Sequence, residues 1–263
     1  MKPFCLALLL TLPAPALLWA AAASDQANPA ATELIDKVIN ARKTTGFRIR
    51  AKLIVVQAGS GKRQTRQLLI KGRRDGEATK ILYQALWPDA YKGRALLVEK
   101  SADHKTTGFL FTPPDKVTPL TPEVMKQPFL ESDLTLDDLA EDYWHWPLQK
   151  IVGQETVSGK SCQILESRPA GRPTAGYALV KTWICPDLAL PLRVHLFDEG
   201  GQLVKRINVE KFFQQGTRWV PATIMIEPEH GRSRTTLDGS KSERDLDIPV
   251  EDFALGKIKS LAK

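Results

Sequence analysis

The sequence predicts one strongly curled antiparallel sheet of about ten to twelve strands with a few short helices, an α+β chain that is mainly β. Three observations predict it. Apolar and polar residues alternate over most of the 263 positions, turn sequences recur at hairpin spacing, and helical periodicity is confined to short stretches. A flat sheet of this size would be unusual, so the strands are expected to curl or nearly close.

The first 23 residues read as a cleaved signal peptide. Lys2 supplies the positive start, Leu6 to Trp19 is apolar but broken by prolines, and Ala20 to Ala23 offers small residues before Ser24. The run is too short for a good membrane span. Residues 24–263 suit a single domain. Loss of Lys2 with the signal lowers the formal net charge from +7 to +6. That charge suits an anionic surface, lipid head groups or nucleic acid. Export argues against nucleic acid, as does the lack of a basic block interleaved with aromatics.

Asn28-Pro29 starts a helix, with Asn at the cap and Pro in the first turn. Ala31, Leu34, Ile35, Val38 and Ile39 form its apolar stripe, and it should end by Gly46. Phe47 to Val55 alternates with Arg48, Arg50 and Lys52 as a half-buried strand. Strands follow at Arg63 to Arg73, Ile81 to Trp87, Arg94 to Lys100, Thr107 to Thr112 and Lys116 to Leu120. The Pro-rich run from Pro113 to Pro128 reads as a surface connection. Thr135 caps a second helix, with Asp138 as its capping-box acid and Leu136, Leu139, Ala140 and Tyr143 on one face. After Trp146-Pro147 the period returns to that of a strand. Val157 to Lys160 turns the chain before Cys162 to Glu166. Tyr177 to Cys185, Leu192 to Phe197, Leu203 to Phe213, Arg218 to Glu227 and Arg232 to Leu237 complete the strands, with hairpin turns at Asp198 to Gly201 and Gln215-Gly216. Phe253 should meet the core before a short terminal helix.

Catalytic constellations are missing. Gly59-Ser60-Gly61-Lys62 lacks the first Gly of a phosphate loop, since Val56 stands there, and Arg63 replaces its Ser or Thr. A hairpin loop explains it. The histidines His104, His145, His195 and His230 form no metal-binding pair. His145 near Asp137, Asp138 and Asp142 reads as a solvated acidic helix face rather than a metal site. G-x-S-x-G is absent. No cofactor, metal or enzyme activity is expected. Cys162 and Cys185 lie in separate strands of an exported chain, so a disulfide between them is expected, with two buried free thiols as the alternative. Basic residues such as Arg48, Arg50, Lys52, Lys205 and Arg206 read as a solvated outer face, or as contacts for phospholipid head groups or an acidic partner.

Several fragments occur in an order that resembles the outer-membrane lipoprotein-sorting family, relatives of the LolA and LolB carriers. They are Phe129, Ser132, Asp133, Leu134, Thr135, Asp138 and Leu139, then Gly153, Glu155, Val157, Gly159 and Cys162. Trp87-Pro88 with Lys92-Gly93, Trp183-Ile184, Leu190-Pro191 with Asp198-Glu199-Gly200, and Trp219-Val220-Pro221 extend the match over nearly all of the mature chain. Glu131 stands where that family has Gly. The resemblance implies a half-closed barrel whose concave apolar face is covered by the Asn28 and Thr135 helices. It also implies a periplasmic, non-catalytic carrier of lipid or lipoprotein acyl chains, in transient contact with membranes and partnered by an inner-membrane exporter of hydrophobic substrates. Phe47, Ile49, Leu53, Tyr83, Trp87, Phe109, Phe111 and Trp183 are the candidate cavity residues. The alternative is an accessory or scaffold subunit with the same fold and a filled core.

Overall fold

The computed structural model describes residues 28–140, 142–171 and 176–260. The expected signal peptide lies outside the described residues. Helix α1 (Pro29–Arg42) begins as its sequence dictates: the Asn28 Oδ1 accepts the Ala30 N–H at 3.0 Å, and Pro29 occupies the first helical position, where no N–H is needed. Ala31, Leu34, Ile35 and Val38 are its buried stripe.

Six strands follow as successive hairpins: β1 (Gly46–Gln57), β2 (Arg63–Asp75), β3 (Ala78–Trp87), β4 (Ala95–Lys100), β5 (Thr106–Thr112) and β6 (Lys116–Pro119). Short helices α2 (Pro122–Met125) and α3 (Leu136–Ala140), with 3-10 turns at Phe129–Glu131 and Asp142–His145, lead into a second series. It comprises β7 (Leu148–Val157), β8 (Lys160–Arg168), β9 (Leu179–Cys185), β10 (Leu190–Phe197), β11 (Leu203–Gln215), β12 (Arg218–Pro228) and β13 (Ser233–Arg244). A 3-10 turn and helix α4 (Leu255–Ser260) complete the described chain.

The 13 strands form one antiparallel sheet in the order β6-β5-β4-β3-β2-β1-β13-β12-β11-β10-β9-β8-β7, one strand more than the expected range. Two meanders are joined where β13 pairs with β1, from Phe47 opposite Arg244 to Gln57 opposite Ser233. This leaves β6 and β7, consecutive in the chain, at the two outer edges of an unclosed sheet. The β6–β7 connection must therefore cross the sheet. It does so over one face, carrying α2 and α3 with it.

Residues opposite one another in adjacent strands share a face. Ile70 opposes Ile49 and Tyr83, Tyr83 opposes Leu96, and Leu96 opposes Leu110. Towards the other edge, Leu53 opposes Leu237, Leu237 opposes Ile224, and Ile226 opposes Ile207. This is the inner face. Phe129, Leu130, Leu134, Leu136 and Ala140 of the crossing segment pack on it, while α1 covers Leu165 and Ile184 further along. The outer face has its own cover: Phe253 and Ile258 seal Leu82, Leu97 and Phe111, and Lys71 donates to Asp252 at 2.6 Å. Phe253 reaches the core as its sequence predicts.

Candidate functional site

The inner face and its helical cover form the candidate site. The cover is assembled from polar devices spaced along residues 129–139. Ser132 Oγ donates to the Phe129 carbonyl at 2.7 Å and accepts the Leu134 N–H at 3.2 Å. The Asp133 carboxylate accepts from Ser233 at 2.7 Å and Thr235 at 2.6 Å, which fastens the segment to β13. Thr135 and Asp138 form a reciprocal capping box. The Asp138 N–H donates to Thr135 Oγ1 at 3.2 Å, and the Thr135 N–H donates to Asp138 Oδ2 at 2.7 Å.

Asp138 has a second task. Its carboxylate pairs with Lys205 of β11 and accepts the Tyr177 hydroxyl at 2.8 Å. Lys205 also donates to Tyr177 Oη at 3.1 Å. Burial, with the Asp138 charge beside it, pushes the Tyr177 hydroxyl well above its ordinary range, so it stays a neutral donor. The sequence reading placed Asp138 on a solvated acidic face and Lys205 among solvated basic residues. Both are buried, Lys205 at 4% exposure, because each neutralises the other inside the cover. A cavity of about 20 Å³, bounded by Asp138, Tyr143, Trp146, Tyr177 and Ile207, adjoins this pair. That is room for a water molecule, far below the 300 Å³ or so of a ligand pocket.

The candidate cavity residues divide between faces. Phe47, Ile49, Leu53 and Tyr83 lie on the inner face against the cover. Leu53 is fully buried, and Tyr83 donates to the Leu139 carbonyl at 3.2 Å and meets the Phe129 ring edge-on at 6.1 Å. Phe109 and Phe111 are on the outer face under the C-terminal segment. Trp183 is also on the outer face, opposite Ile164 and Arg193, where its indole donates to Glu155 at 2.7 Å. Trp87, at the end of β3, is 48% exposed. Strand alternation identified two faces, but both are partly apolar, so periodicity alone could not say which is inner.

The β8–β9 register, with Gln163 opposite Ile184, makes Cys162 and Cys185 direct neighbours across the pair. The structure holds them as free, buried thiols, not as the expected bridge. They pack with Leu190 and Leu192 as small apolar side chains, and burial raises the Cys162 thiol. Among the described residues, no group of three or more His, Cys, Asp or Glu side chains could hold a metal ion. No helix among them is long and apolar enough to cross a membrane.

A family model described as "uncharacterized protein" matches residues 77–260. No curated protein matches the sequence. Three solved structures share the fold. A DUF1329 family protein from Desulfovibrio piger is 20% identical with a TM-score of 0.80, over 87% of this chain and 98% of the other. An outer membrane lipoprotein-sorting protein domain from Vibrio parahaemolyticus is 19% identical with a TM-score of 0.80, over 88% and 98%. A LolA superfamily protein from Nitrosomonas europaea is 17% identical with a TM-score of 0.68, over 86% and 98%. The chain therefore has the LolA-like fold, as the ordered fragments in its sequence imply.

Proposed function

The chain belongs to the family of uncharacterised proteins matched over residues 77–260, and we propose that it is a periplasmic, non-catalytic carrier of acyl chains from lipid or lipoprotein. One observation carries this reading: the stretch of apolar inner face around Leu53, Ile70, Leu96 and Ile226 is covered by short helical pieces, α2 of four residues and α3 of five, on a single crossing segment. Short pieces have little helical stability of their own and depend on the surface they cover. An acyl chain replaces them on that surface when the segment lifts. Each methylene moved from water to an apolar surface contributes about 0.8 kcal/mol, so a single chain can offset the loss of the cover's contacts and still bind at micromolar levels, about −8 kcal/mol. The N-terminal segment and the lipoprotein-sorting neighbour support export to the periplasm. Lipid received there requires a donor, for which an inner-membrane exporter of hydrophobic substrates is the proposed partner.

A second reading is favoured by the size of the cavity. The cavity beside Asp138 has about 20 Å³ open, and on this reading the same fold serves as an accessory subunit whose interior is permanently filled.

A fluorescent fatty-acyl probe titrated into delipidated protein tests the carrier reading. Saturable micromolar binding is expected, weakened at least tenfold by Tyr83→Glu, which puts a charge on the inner face (about 1.4 kcal/mol per tenfold). Circular dichroism checks that the variant folds. A folded wild type that binds no probe and carries no lipid when isolated contradicts the reading and favours the accessory subunit.

A further inference from the structure

Two cations of the apolar inner face are buried, and among the described residues only one of them has a carboxylate. Lys205 has Asp138. Arg66 stands directly opposite Leu53 in the β1–β2 pair, is 1% exposed, and forms no ion pair among the described residues. Its Nη2 donates to Gln64 at 2.9 Å and to the Tyr91 hydroxyl at 3.3 Å, while Nε and Nη1 are buried with no hydrogen-bond partner. A guanidinium carries five N–H donors in a planar fork that matches the paired oxygens of a carboxylate or phosphate. Leaving such donors buried and unmade is costly, and a charged group more so than a neutral one.

The surroundings select an anion. Tyr91 has the Arg66 guanidinium 5.0 Å and the Arg94 guanidinium 5.1 Å from its ring centre, so two cations converge on one aromatic side chain. The Tyr91 hydroxyl donates to Glu131 at 2.6 Å, so it faces Arg66 as an acceptor and cannot neutralise it. Glu131 belongs to the crossing segment. It and Leu130 both have left-handed backbones, φ 55° and 52°, which are costly for residues with a Cβ. Through the Tyr91 hydroxyl, Nη2 of the guanidinium is thus linked to the part of the cover with left-handed backbone.

We propose that Arg66 is the recognition site for an anionic oxygen group, a carboxylate or phosphate ester, on an amphiphile whose apolar part lies along the inner face. This deepens the carrier reading and rests on it: the cargo is an anionic lipid and not a neutral one. The anion accepts from Nε or Nη1, and pairs in bidentate fashion by taking Nη2 as well in place of Gln64 or Tyr91, with Arg94 adding positive potential.

The test compares probes of one chain length with a carboxylate head, a phosphate-monoester head and a neutral methyl-ester head, on wild type, Arg66→Lys and Arg66→Met. The folding of each is checked by circular dichroism. A parallel arm measures the thermal midpoint with inorganic phosphate against chloride at matched ionic strength. The expected result is wild-type binding of both charged probes at least about tenfold tighter than the ester, a preference lost in Arg66→Met and partly kept in Arg66→Lys. Equal wild-type affinity for charged and neutral probes overturns the proposal and leaves the carrier reading standing. A preference that survives in Arg66→Met overturns it as well. If no probe binds, the carrier reading fails, and the phosphate arm decides the anion site alone. Stabilisation of wild type but not of Arg66→Met supports it, and no phosphate-specific stabilisation overturns it. Phosphate stabilisation without preference among the chains identifies a free-anion site and overturns the lipid head-group assignment.

Discussion

Lys205 is the residue at which local reading and structure part most clearly. Its neighbours alternate as a solvated strand would, yet its ammonium is buried against an Asp138 that lies 67 positions away. No local pattern could supply that partner. A buried pair of this kind is worth little net, because desolvation offsets the attraction, but removing one partner strands the other. Lys205→Met is expected to lower stability by about 3–5 kcal/mol, while Asp138→Leu combined with Lys205→Met recovers part of it, the rest being lost with the helix cap and the acceptor of the Tyr177 hydroxyl. Urea midpoints of the two variants check this, and equal losses would show that the pair holds the cover by more than charge neutralisation. Glu131 was legible in part: its place in a position that favours Gly is matched by its left-handed φ of 55°.

Helix starts and hairpins were readable because their causes are local. Asn28 with Pro29, the Thr135–Asp138 box and the turn at Asp198–Gly201 all form where their residues require. The small helix α2 was not foreseen. It sits inside a Pro-rich connection, started by Thr121 and Pro122, whose signals also describe a turn. Close packing between elements was equally hidden. Gly72 opposes Phe47, and a Cβ there would lie 2.0 Å from the Phe47 ring. Gly72→Ala is therefore expected to rotate Phe47 off the inner face at a cost of about 1–3 kcal/mol. Chemical denaturation measures the loss, and an unchanged midpoint would show that the ring can move freely.

At the scale of the whole molecule, the decisive fact is that β13 returns to β1, which sends β6 and β7 to opposite edges and stretches their connection across the inner face. Curvature and strand style were visible in the sequence. This long-range pairing and the identity of the inner face were not, since alternation fixes two faces without ranking them. Trp183 and Phe111 show the result, as aromatic residues turned to the outer face. The account's central claim is that the crossing segment lifts to admit an acyl chain. Asp133 and Thr235 touch across the cover and β13, at 2.6 Å between side-chain oxygens, and suit replacement by a cysteine pair. The most direct measurement is acyl-probe binding to Asp133→Cys/Thr235→Cys in the bridged and reduced states, on the background Cys162→Ala/Cys185→Ala. The account predicts that bridging abolishes binding and that reductant restores it. Equal binding in both states would contradict it.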